Sequence, residues 1–142
     1  MPGIPGAKEA YGISVVRGDS SLIIPPRGCE RYAISSGDLV MLLTAHRGEG
    51  GLTLMPKART EGTVFKTLFD RVTEIDVVHW FDGRAHALTG VRDGKVTLTP
   101  DMLDAFFLKQ GDRLLVIKGA AVAMSFIPVK IWEDKLAERG FS

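Results

Sequence analysis

A single cysteine, Cys29, in a chain of 142 residues excludes an internal disulfide. It fits a reducing compartment, and its place on the apolar face of a short predicted helix makes it a buried, inert thiol. No apolar run approaches the roughly 20 residues of a membrane span. The opening residues carry no signal-peptide pattern, so a cytoplasmic protein with no membrane partner is expected. Charge of one sign is also scarce. Eighteen Lys and Arg against seventeen Asp and Glu leave a net charge of +1. That excludes a strongly basic nucleic-acid binder of the histone kind, but not a local basic patch. Catalytic signatures are missing as well: there is no G-x-S-x-G, H-E-x-x-H, C-x-x-C or phosphate-cradling Gly-Lys-Ser/Thr run. No enzyme, cofactor or small-molecule substrate is predicted. The glycines of Arg47–Gly51 are explained by a hairpin tip.

What the chain does have is a unit written twice. Val96–Lys118 reads as a strand, a short helix, a Gly-Asp turn and a second strand. Val96 and Leu98 alternate with Thr97 and Thr99, the period of a half-buried strand. Thr99 is a competent N-cap, Pro100 suits the first helical position and Asp101 favours the positive helix end. Leu103, Phe106 and Phe107 give the helix an apolar face, and Gly111-Asp112 turns the chain into an apolar strand. A shift of 74 residues lays Leu22–Leu43 on Val96–Ile117 without a gap. Pro26 falls on Pro100, Gly37 on Gly111 and Asp38 on Asp112, and apolar positions such as Leu22/Val96, Ile24/Leu98 and Tyr32/Phe106 match in character. Each copy continues into another apolar strand ending in Pro, at Pro56 and at Pro128. An internal duplication is the expectation.

The rest of the chain supports one compact domain. Residues 1–10 read as a flexible arm, 11–58 as the first repeat, 59–83 as a spacer helix and strand, 84–130 as the second repeat and 131–142 as a C-terminal helix. Thr60 is a plausible N-cap, and Val64, Phe65, Leu68, Phe69 and Val72 then form an amphipathic stripe. Asp82-Gly83 is a strong two-residue hairpin signal. With Asp93-Gly94 it predicts a meander of strands near 74–81, 84–91 and 95–99.

The order of turn, I-x-[IL]-P strand, short helix, Gly-Asp turn and two apolar strands resembles the AbrB/SpoVT group of swapped-hairpin DNA-binding proteins. Two copies in one chain, and the finish VIKGAAVAMSFIPVKIWEDKL, resemble the MraZ branch. The resemblance covers the two copies. It implies a mostly β fold with short helices, in which the repeats interlock about a pseudo-two-fold axis into one swapped-hairpin β-barrel. It also implies double-stranded DNA as partner and a homo-oligomer. MraZ proteins resemble one another in an Asp-x-x-x-Arg element on the hairpin before the I-x-I-P strand. Here Val91 stands where the second copy would carry that Asp, with Gly94-Lys95 at its Gly-Arg portion. The first copy reads Ser20-Ser21, with Arg17 at the Asp position, and Thr99 replaces the strand-ending Pro.

The charges can be read independently. Arg17 and Arg92 with Lys95 lie in equivalent hairpin turns, and Arg27 and Arg31 lie on the first short helix. A two-fold-like body would present them to phosphates along a duplex. Ordinary solvated turns carry the same residues, and Asp19, Asp93, Asp101 and Asp104 lie close by. Two functions therefore stay open: a DNA-binding transcriptional regulator using these basic residues, or an oligomeric scaffold or protein-interaction module that has lost DNA binding. A hairpin closed at Asp82-Gly83 also sets His79 opposite His86. That pair could hold a divalent metal with a third ligand such as His46, although cross-strand polar pairing suffices to explain it.

Overall fold

Alternation in the most apolar strand decides how the molecule is layered. In Leu39–Thr44, Val40 and Leu42 point to one side and Met41 and Leu43 to the other, and all four are buried. A strand with both faces covered needs a layer on each side. The computed structural model describes residues 10–45, 50–119 and 122–130. Within them nine strands and three short helices follow in the order β1 (Ala10–Val15), β2 (Ser21–Ile23), α1 (Pro26–Tyr32), β3 (Leu39–Thr44), β4 (Leu52–Pro56), α2 (Lys66–Arg71), β5 (Val78–Phe81), β6 (Arg84–Gly90), β7 (Lys95–Thr97), α3 (Pro100–Ala105), β8 (Arg113–Lys118) and β9 (Met124–Pro128). The expected C-terminal helix, the residues before Ala10 and His46 lie outside the described residues.

Seven strands form one antiparallel sheet in the order β1-β8-β9-β4-β3-β6-β5, and β2 and β7 form a separate two-stranded ribbon. One face of the sheet carries Val40, Leu42, Leu54, Ala87, Val116 and Phe126, covered by Leu22, Ile24, Val96 and Leu98 with Tyr32 from α1, Met102 from α3 and Phe106 just after it. The other face carries Met41, Leu43, Met55 and Leu88 under Phe69 and Val72. Gly28 in the middle of α1 is a packing residue: a Cβ there would meet Met124 Sδ at 3.1 Å. Thr99 caps α3 as its sequence predicts, its hydroxyl accepting from Met102 N at 3.2 Å. No helix among the described residues is long and apolar enough to cross a membrane.

Long-range pairing departs from a chain of simple hairpins. β1 does not fold back along β2; one bridge just beyond it, Val16 to Leu22, joins the two segments. β1 pairs instead with β8, from Ala10 opposite Ile117 to Val15 opposite Arg113. In the same way β6 pairs with β3. β7 leaves the predicted meander to pair with β2, Leu22 facing Val96. Matching backbone bonds hold these pairings. Val16 N donates to Asp112 O at 2.9 Å and Gly111 N to Val16 O at 2.7 Å, while Val91 N donates to Asp38 O and Gly37 N to Val91 O, each at 2.8 Å. The expected closed barrel is not reached, because β1 and β5 are the two edges of the sheet. The Asp82-Gly83 turn seats β5 on the free edge of β6 (φ 52° and 77°, both left-handed), as a two-residue hairpin requires.

Two further elements are shorter than their sequence suggests. The spacer helix does not start at Thr60. Gly62 takes a φ of +77° and Thr63 turns back on Thr60 O, so the helix proper begins at Lys66. Val64 drops out of the predicted stripe and is 78% exposed, whereas Phe69 and Val72 are buried. The strand expected from residue 74 starts at Val78, because Asp76 adopts a left-handed φ of 63° and its carboxylate accepts from Thr89 Oγ1.

Candidate nucleic-acid interface

The five basic residues sit on two hairpin turns and one helix, and long-range pairing decides which of these elements are neighbours. Arg92 and Lys95 flank a tight turn in which Asp93 and Gly94 have φ of 52° and 73°, and their backbones exchange hydrogen bonds of 2.9 and 3.1 Å. Ile24 N, two residues before α1, donates to Gly94 O at 2.8 Å, and Asp93 N donates to Ser36 Oγ, just after α1, at 2.8 Å. This turn therefore lies along α1. Arg27 occupies the first turn of that helix. Arg31 occupies the last, with its guanidinium 5.6 Å from the centroid of the Tyr32 ring. The turn that carries Arg92 and Lys95 and the helix that carries Arg27 and Arg31 are thus neighbours at one end of the β2–β7 ribbon. Arg31 also suits the negative end of the helix dipole.

Arg17 is not part of that group. Its turn, closed by Arg17 N to Ser21 O at 2.9 Å, sits at the other end of the ribbon against α3. Leu98 N donates to Ser20 O at 2.8 Å, and Gln110 Nε2 donates to Gly18 O at 2.8 Å. Here the surroundings are acidic. Asp101 and Asp104 are exposed on α3, and Asp19 lies within the turn itself. Hydrogen bonds from the Ser21 hydroxyl and amide, helped by the Arg17 charge, hold the Asp19 carboxyl below its ordinary value. Its negative charge is thereby secured beside Arg17.

The histidine pair has the register its turn predicts, His79 opposite His86. His86 is 4% exposed, and its Nδ1 lies 3.1 Å from Arg84 O. His79 Nε2 is buried without a hydrogen-bond partner and stands 3.7 Å from Glu74 Oε1. Among the described residues no cluster of three His, Cys, Asp or Glu side chains is placed to hold a metal. Burial pushes the His86 imidazole below its ordinary value, with the neighbouring Arg84 and Arg71 charges acting the same way. The unfolded chain then holds a proton that folded His86 refuses, so stability must fall as pH drops through about 6.5 and level off below the folded value. Urea unfolding between about pH 7.5 and pH 5 should show this decline, and His86→Gln should remove it. The Cys29 thiol is half-buried and pushed up by burial, which makes it a poor nucleophile.

No family model matches the chain, and no curated protein does. The solution structure of PHS018 from Pyrococcus horikoshii is similar over 85% of this chain and 94% of that one, at 14% identity and a TM-score of 0.40. So distant a likeness assigns no function.

Proposed function

We propose that the protein is a DNA-binding transcriptional regulator of the AbrB/MraZ type, acting as a homo-oligomer. In this reading two copies of one strand–helix–turn–strand unit exchange hairpins about an approximate dyad. The reciprocal pairs support it: Leu22 faces Val96, Ile24 N bonds to Gly94 O as Leu98 N does to Ser20 O, and the Gly37-Asp38 and Gly111-Asp112 turns make matching bonds to Val91 and Val16. The observation that carries the DNA reading is the gathering of Arg27, Arg31, Arg92 and Lys95 along α1 and its neighbouring turn. Such a group serves phosphate contact rather than base reading. Four phosphate contacts imply a log–log salt slope near −3.6, a loss of roughly a hundredfold between about 50 and 200 mM salt. Fluorescence anisotropy with a labelled duplex should show this loss. The double variant Arg27→Gln/Arg92→Gln should flatten the slope by about two, whereas Arg17→Gln should change it little. Absence of binding at low salt, or a slope that ignores these residues, would refute the assignment.

The scaffold reading has its own support at the opposite end. Trp80 is 58% and Phe107 68% exposed, in a groove shared with Asp101 and Asp104. An aromatic and acidic groove repels phosphate and suits a protein partner.

A further inference from the structure

We propose that the pocket between α2 and the β5–β6 hairpin binds an amphipathic oxyanion: a carboxylate or phosphate head on a flat apolar body. The cavity holds about 470 Å³, within the range of small-molecule sites. It lies on the side of the sheet away from the basic turns, so it is distinct from the proposed DNA surface. Its wall is apolar, made by Leu43 and Met55 from the central strands and by Phe65 and Leu68 from the segment leading through α2.

The polar groups on this wall are of one dominant sign. Arg71 and Arg84 both line the cavity, against the single carboxylate of Asp82. Neither guanidinium is loose. Arg71 lies over the Phe81 ring at 4.1 Å from its centroid, and Arg84 Nη2 donates to Thr44 O at 2.9 Å. Each anchoring contact leaves other N–H donors of the fork free, and a guanidinium is suited to two oxygens at once. His86 also lines the cavity, its ring edge-on to Phe81 at 5.2 Å. The Thr53 and Ser125 residues add hydroxyls to the lining. A neutral apolar ligand would leave the free N–H donors of both guanidiniums unused, and a cation would meet them directly. An anion with an apolar body satisfies both parts of the wall.

The test uses the full chain and three probes of one shape: 2-naphthoate, 2-naphthyl phosphate and 2-naphthalenemethanol. Titrations followed by amide NMR should show at least one anion binding about ten- to a hundredfold more tightly than the alcohol. Shifts should centre on Leu43, Phe81 and His86, and the better anion identifies the head group. Arg71→Gln and Arg84→Gln should each remove most of the anion's advantage while leaving the alcohol's affinity unchanged. Arg71 is exposed on its helix, so its variant keeps the fold even if the Arg84 variant melts early. Equal affinity for alcohol and anions, shifts mapping elsewhere, or an Arg71→Gln protein that binds anions normally would overturn the proposal.

Discussion

Gly51→Ala should cost about 3 kcal/mol or more of folding stability, enough to remove a large share of a small domain's total. Gly51 has a φ of +87°, and its amide donates to Phe106 O at 3.0 Å, which locks it where β4 begins. A Cβ at this position would lie 2.2 Å from the Phe126 carbonyl oxygen and 2.9 Å from Pro128 Cδ. The first is a backbone atom of β9, which cannot swing aside as a side chain would. The paired strand would have to separate or Gly51 abandon its conformation. Gly111→Ala is the matched control. It has a φ of +93° with no atom within 4 Å of the place its methyl would occupy, so it should lose only the left-handed strain of about 1–2 kcal/mol. Urea titrations of the two variants separate steric overlap from backbone strain. Equal losses would mean that β4 and β9 are not so closely apposed.

The second large effect is expected at Phe126. Its side chain is 0% exposed on β9, a central strand whose Phe126 stands opposite Leu52 on one side and Val116 on the other. Phe126→Ala removes the ring from the core and leaves a cavity, at about 3–5 kcal/mol. Ile13→Ala, on an exposed position of edge strand β1, should stay within about 0.5 kcal/mol. Denaturation midpoints at constant m-value would verify both. A mild Phe126→Ala phenotype would place the core elsewhere.

Local chemistry was legible in the sequence; partner choice was not. Pro26 and Pro100 open helices where their fixed φ predicts, and Thr99 caps the second. Asp82-Gly83 fixes the register that sets His79 opposite His86. These features are decided within four or five residues. Pairing β1 with β8 is decided by two apolar strands that find each other across most of the chain, and nothing near Tyr11 announces it. The same limit governed the basic residues. Arg17 and Arg92 look alike in sequence, but long-range bonding sets one turn beside acidic α3 and the other beside α1, so only Arg92 neighbours the helix of Arg27 and Arg31. The shortened spacer helix follows from Gly62, whose left-handed conformation outweighs the apolar stripe around it. The pocket was hidden for a related reason. Arg71 and Arg84 belong to different elements, and they meet only because α2 folds down on the sheet.

The β1–β8 ladder also governs the order of events at the ribosome. Ala10 leaves the exit tunnel about a hundred residues ahead of Ile117, which it faces in the finished protein. At typical rates of synthesis that interval lasts roughly 5–20 s. Throughout it β1 has no ladder to join, and its apolar side chains stay open to chaperones and to neighbouring nascent chains. β1 is thus seated only after β8 has been made.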